Sequence, residues 1–222
     1  MAEVSRVTRS KEEARFSYDK MSRWYDWLAG STERRLLQVG LQHLAVQQGE
    51  VVLEVGFGTG HGILALAKAV GDSGKAYGID ISEGMLSIAQ ARVSAAGLSH
   101  RVELRRDDAI SLSFPADWFD AVLMSFTLEL FDTPEIPTVL SECRRVLRTH
   151  GRIGVLAMSK KGKTGLLLRL YEWAHNRFPK YLDCRPIFVE QSLEDAGFGI
   201  LTTVHMSMWG LPVEIVVARK VD

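Results

Sequence analysis

The sequence predicts one α/β domain built on a mostly parallel sheet. Three observations predict it. From residue 51 onward, short apolar runs alternate with stretches of helical periodicity, the pattern of successive βαβ units. A glycine-rich segment at residues 56–62 joins the first apolar run to the first helical stretch after it. No linker rich in Pro, Gly or Ser divides the 222 residues, a length that one domain can fill.

Residues 10–29 carry a helical pattern, with Ser10 placed as an N-cap, Glu13 as its capping-box partner and Gly30 as the stop. A second helix is expected over 32–46, where Leu36, Leu37, Leu41 and Leu44 share a face. Val51-Val52-Leu53-Glu54-Val55 reads as a buried strand. Helix 63–70, strand 75–80, helix 84–96 and strand 101–106 follow. Then come strand 119–125, helix 136–147 and strand 152–158. The connections between parallel strands should be right-handed crossovers. Residues 165–178 are amphipathic, with Leu166, Leu167, Leu170, Trp173, Ala174 and Phe178 on one stripe. A helix is expected over 185–196, stopped by Gly197. Strands 200–208 and 213–219 close the chain as a hairpin around the turn Gly210-Leu211-Pro212.

Composition narrows the function. Hydrophobic residues are 46% and charged residues 24%, which excludes a disordered or low-complexity chain. The 27 Lys and Arg balance the 27 Asp and Glu, so the gross basic excess of a nucleic-acid binder is missing. Cys143 and Cys184 are the only cysteines; no disulfide framework or zinc ribbon follows, and the six histidines show no metal spacing. A reducing, cytoplasmic setting is expected. No run approaches the roughly 18 apolar residues of a membrane span, and charges fill the first 16 residues where a signal peptide would be apolar. None of this excludes a peripheral membrane contact.

The sharpest signal is Glu54-Val55-Gly56-Phe57-Gly58-Thr59-Gly60-His61-Gly62, between a strand and a helix. Glycines there permit a tight turn and a close ligand approach, next to the free N–H groups of a helix start. A dinucleotide fingerprint would need glycine where His61 stands, and a phosphate loop would need Lys-Ser/Thr where His61-Gly62 stands. S-adenosylmethionine, with an amino-acid end, a sulfonium and no pyrophosphate, suits an acid followed by GxGxG. Asp80 ends the next strand, 24 residues after Gly56. There it can accept both hydroxyls of a ribose, although an acid at that point can also cap a helix.

With these landmarks residues 51–158 resemble a class I S-adenosylmethionine-dependent methyltransferase. Asp107-Asp108-Ala109 after the third strand, Phe119-Asp120-Ala121-Val122 in the fourth, and Arg145-Val146-Leu147-Arg148 with Gly151-Arg152 before the fifth complete the pattern. Upstream, Tyr18-Asp19-Lys20-Met21-Ser22-Arg23-Trp24-Tyr25-Asp26 is similar to the FDxVAxxYD segment of the ubiquinone and menaquinone C-methyltransferases. Tyr18 replaces the Phe and Met21-Ser22 the Val-Ala. A packed aromatic stripe of Tyr18, Met21 and Tyr25 would give the same spacing.

The resemblance implies a Rossmann-like three-layer sandwich with a seven-stranded sheet, its last strand antiparallel, and an N-terminal helical extension. It divides the chain into a helical cap (1–48), a cofactor-binding core (49–159) and a substrate-side helix with the C-terminal hairpin (160–222). It implies a cofactor site of Tyr25, Glu54, Gly56, Gly58, Gly60, Asp80, Ile81, Met85, Asp108, Ala109 and Ser125, with Asp108 and Ala109 at the adenine. Asp120 is expected to be structural. The implied activity is methyl transfer to a small, lipophilic acceptor such as a quinol. An amine acceptor such as a phospholipid head group, or a non-catalytic role as the cofactor-binding subunit of a partner, remains open.

Methyl transfer needs the acceptor held roughly 3 Å from the methyl carbon and water excluded, so no nucleophilic side chain is required. Met124-Ser125-Phe126-Thr127-Leu128-Glu129 lacks the Asn/Asp-Pro-Pro-Tyr/Phe motif of enzymes that methylate nucleic-acid bases. Glu129, Asp132, His61 and His175 are the candidates for a general base, and no one of them stands out in the sequence. The stripe in 165–178 would either pack on the sheet or cover a lipophilic acceptor. The nearby Lys160, Lys161, Lys163 and Arg169 would then face solvent or anionic head groups.

Overall fold

The computed structural model describes residues 32–161 and 185–221. The expected helix at 10–29, the amphipathic stretch at 165–178, Tyr25, His175 and Cys184 lie outside them. The first element is helix α1 (Thr32–Leu44), which leads to β1 (Val51–Val55), α2 (His61–Ala69), β2 (Lys75–Asp80) and α3 (Glu83–Ala95). Then come β3 (Val102–Arg106), β4 (Phe119–Ser125), a 3-10 turn (Leu128–Leu130), α4 (Ile136–Val146) and β5 (Leu147–Met158). After the undescribed segment come α5 (Val189–Asp195), β6 (Phe198–Met208) and β7 (Leu211–Lys220).

The strands form one seven-stranded sheet in the order β3-β2-β1-β4-β5-β7-β6. β3, β2, β1, β4 and β5 run parallel, and β7 is antiparallel to both β5 and β6. This is the sheet the sequence predicts. Alternate residues of the strands feed two cores. Leu53, Val55, Val122, Met124 and Val155 pack with α4 and α5. Val52, Ala121, Leu123, Leu156 and Val217 pack with α1, α2 and α3. With both faces covered, the central strands need apolar residues at nearly every position, which explains their unbroken Val, Leu and Met runs.

Three expectations change. The helix expected over 185–196 is shortened to Val189–Asp195. Pro186 favours extended backbone at the residue before it. Ile187 instead donates to the Met158 carbonyl (2.9 Å) and accepts from the Lys160 N–H (2.9 Å), in a parallel bridge with Ser159. The turn expected at 210–212 is Trp209-Gly210, both at positive φ (52° and 80°), as a two-residue hairpin of the twist-matching kind requires. Leu211 and Pro212 begin β7. Finally, β5 starts at Leu147, paired with Phe119, and a register shift follows before Ala121.

Leu123 is fully buried at the centre of β4. Leu123→Ala should cost about 2–5 kcal/mol in urea denaturation. A loss below about 1 kcal/mol would contradict the close packing of α1–α3 on this face.

Candidate functional site

The carboxyl ends of β3, β2, β1 and β4 stand side by side, and the chain leaves each in a loop that carries predicted site residues. The glycine loop leaves β1 through Gly56, whose N–H donates to the Ile79 carbonyl of β2 (2.8 Å). Gly56 has φ +73°, and a Cβ there would come within 2.4 Å of Thr127 Cγ2, so only glycine fits both the turn and its neighbour. Gly58 also has a positive φ (50°), but a Cβ there would meet nothing within 4 Å: open space lies over the backbone at this point. Gly60, at φ +90°, packs against Ala89 of α3 and precedes the first residue of α2.

Asp80 ties the loop to the next strand. One carboxylate oxygen accepts the Gly58 N–H (3.0 Å) and the other the Ser82 N–H (2.9 Å). Ser82 in turn caps α3, its hydroxyl accepting the Met85 N–H at 3.1 Å. The helix-cap reading of Asp80 therefore passes to Ser82, and Asp80 holds the two loops together. Ile81 is half-buried beside it. Met85 is buried in the core shared with α1 and α2.

Past β3, Asp107 and Asp108 fold their loop by side-chain bonds to backbone. Asp108 accepts the Ile110 N–H (3.1 Å), and Asp107 accepts those of Asp108 (2.9 Å) and Ser113 (3.2 Å). Ala109 is buried in the α4–α5 core. The Glu142–Arg145 pair on α4 clamps the following residues. Arg145 donates to the Phe114 and Leu112 carbonyls, and Glu142 accepts the Leu112 N–H. Ser125 ends β4, half-buried, with its carbonyl bonded by the Thr127 hydroxyl (3.0 Å). Asp120 lies towards the other end of the sheet, bonded to the Val51 N–H and Arg148, in the structural role expected for it.

Glu54 is 2% exposed, and one of its oxygens has no hydrogen-bond partner among the described residues. Burial, and then the nearby Asp80 charge, push its carboxyl well above the usual glutamate range; the Ile63 N–H at the start of α2 pulls the other way. Gly62 makes room for it, since a Cβ there would sit 1.9 Å from Glu54 Oε1. A buried carboxyl oxygen awaiting a donor, open space over Gly58 and a second carboxylate at Asp80 fit a ligand with an ammonium end and a ribose. S-adenosylmethionine has both.

Of the base candidates, His61 is exposed at the start of α2, and Asp132 accepts the Thr133 N–H (2.9 Å). Glu129 differs. It is fully buried in the turn after β4, with Oε1 accepting the Met158 N–H (3.3 Å). Burial raises its carboxyl to about 8. Sequence reasoning missed its neighbour Arg185, also fully buried, which donates to the Thr133 hydroxyl (3.0 Å) and the Phe131 carbonyl. Pro186 was the available signal, because it takes Arg185 out of the helix. Glu214 on β7 is a further buried carboxyl, held above the ordinary range by burial.

Residues 52–151 match the family model described as "Methyltransferase domain". A demethylmenaquinone methyltransferase of Geobacillus stearothermophilus is 41% identical over 111 residues, covering 50% of this chain and 46% of that protein. A 2-phytyl-1,4-naphtoquinone methyltransferase of Synechococcus elongatus is 33% identical over 143 residues, covering 64% of this chain and 59% of that one. The chain thus spans about half the length of the curated relatives it matches. Among solved structures, the [4+2]-cyclase SpnF overlays with a TM-score of 0.80 at 22% identity over 99% of both chains. A SAM-dependent methyltransferase from Aquifex aeolicus overlays at 0.69 and 23% identity, over 90% of this chain and 98% of that one. The fold is the Rossmann-like one of class I methyltransferases.

Because Glu129 binds its proton more tightly when folded than when unfolded, its contribution to stability is present below the usual glutamate value. That contribution falls away as pH rises towards about 8. Glu129→Gln should therefore flatten the decline of the urea midpoint between about pH 5 and about pH 9, by an amount on the order of a few kcal/mol. Equal midpoint shifts at both ends of the range would count against a buried, proton-binding Glu129.

Proposed function

We propose that this chain, whose residues 52–151 match a methyltransferase-domain model, moves a methyl group from S-adenosylmethionine to a ring carbon of a small, lipophilic hydroquinone. The observation that carries the reading is the joined pair of loops at the ends of β1 and β2, with Asp80 bonded to Gly58 and open space above that glycine. Glu54 would face the amino-acid end and Asp80 the ribose. Asp108 and Ala109 would take the adenine, with Ile81 and Met85 packing on the adenosine. Gly56, Gly58 and Gly60 would allow close approach, and Ser125 would line the reacting end. When bound, S-adenosylmethionine supplies an electrophilic methyl carbon on a sulfonium. The chain's own task is to orient the acceptor carbon and keep water out.

The quinone names of the sequence relatives support the acceptor class. The overlay with the cyclase is a likeness of fold, and a fold hosts more than one chemistry, so the test reads the transfer itself. Methyl-labelled S-adenosylmethionine and a 2-alkyl-1,4-naphthohydroquinone should give label in the organic extract with this chain alone. Label that appears only with an added partner would favour a non-catalytic subunit. Label on an amine acceptor instead would favour head-group methylation.

Asp80→Ala should weaken S-adenosylmethionine by about 1–3 kcal/mol in calorimetry, since it leaves buried polar groups unpaired. Gly58→Val should abolish binding by forcing a branched side chain to a positive φ in the open space, while the chain still folds. Normal cofactor affinity in both variants would remove this site from consideration.

A further inference from the structure

We propose that Glu129 is the base that takes the proton of the acceptor's hydroxyl group. This rests on the methyl-transfer reading above. Glu129 stands in the turn Leu128–Leu130, just beyond Ser125 at the carboxyl end of β4, on the same edge of the sheet as the glycine loop and Asp80. Its side chain reaches towards the end of β5, where Oε1 accepts the Met158 N–H. Oε2 is buried and has no hydrogen-bond partner among the described residues. A carboxyl oxygen at this depth is costly unless it gains a donor, and a hydroxyl-bearing acceptor brings one.

Burial dominates the proton affinity of Glu129 and disfavours the charged form; its own backbone N–H, the Met158 N–H and then the Arg185 guanidinium favour the charged form, and Glu33 on α1 opposes it. The net result, about 8, suits the task. A phenol titrates near about 10, so the transfer is roughly 2 units uphill, against roughly 6 for an ordinary glutamate. In the step itself, the acceptor O–H proton passes to Glu129 and leaves an aryloxide. The adjacent ring carbon forms a bond to the methyl carbon as the carbon–sulfur bond breaks, and its electron pair stays on sulfur as a neutral thioether. The methylated ring carbon then loses its hydrogen to water as a proton, and Glu129 returns its own proton to the oxygen. One proton is released per methyl transferred.

The experiment uses the full chain, methyl-labelled S-adenosylmethionine and a 2-alkyl-1,4-naphthohydroquinone kept reduced. In the wild type, kcat/KM should rise with pH and level off above about 8. Glu129→Gln should lower kcat about 10²–10⁴-fold and lose that rise, with S-adenosylmethionine affinity unchanged by calorimetry. Glu129→Asp should retain part of the rate and part of the rise. The infrared difference spectrum between about pH 6 and about pH 10 should show a carboxylic acid band in the wild type that is missing in Glu129→Gln. Wild-type-like turnover in Glu129→Gln would overturn the proposal and leave the methyl-transfer reading standing. So would a wild-type profile flat across this range, which needs no variant that might fold poorly. A wild-type chain that binds S-adenosylmethionine but methylates neither the hydroquinone nor an amine would overturn both.

Discussion

The central strands, covered by helices on both faces, meet their surroundings at their ends, and the site follows from that constraint. The parallel order of β3, β2, β1, β4 and β5 brings five carboxyl ends to one edge. The loops leaving them gather at that edge and can carry chemistry. Asp80 converts two of these loops into one unit by accepting from Gly58 and Ser82 at once. The same side chain that would meet a ribose thus also sets the shape of the glycine loop and the start of α3. The Glu142–Arg145 clamp does comparable work from α4 for the loop that carries Asp108.

Polarity is distributed unevenly along this edge. Glu54, Glu129 and Glu214 are all buried and all held above the usual carboxyl range. Each holds its proton more tightly in the folded chain than in the unfolded one, so the stability each contributes at low pH is lost as pH rises through its folded value. Glu54 and Glu214 lie within β1 and β7, and Glu129 lies in the turn after β4. Local conflict between burial and charge of this kind gathers where a protein gives up stability for function.

Much of this arrangement was legible in the sequence, because it is written in local signals. Val51-Val52-Leu53-Glu54-Val55, the glycines after it and Asp80 act through spacing alone. The misread elements had competing local signals. Helical periodicity across 185–196 competes with Pro186, and the pattern Gly210-Leu211-Pro212 signals a turn one residue later than Trp209, an unusual residue at positive φ, which begins it. The depth of Glu129 and Arg185 was not legible, since it arises from segments far apart in sequence that meet only in the folded sheet. Glu129 could be named as one of four candidates, but only packing separates it from Asp132 and His61.

The two outer strands of the sheet meet a different demand. Among the described residues β3 and β6 each have a neighbouring strand on one side only, and the open side is a template on which another chain could add a strand. β3 is short and places the charged Glu103, Arg105 and Arg106 along this border, whose hydration the addition of another strand would disturb. β6 is long, yet the register shift between Ile200 and Thr202 leaves Leu201 unopposed and half-exposed, and a bulge twists the border out of line. Charge on one border and a bulge on the other both work against the addition of a second copy's strand to the open sheet.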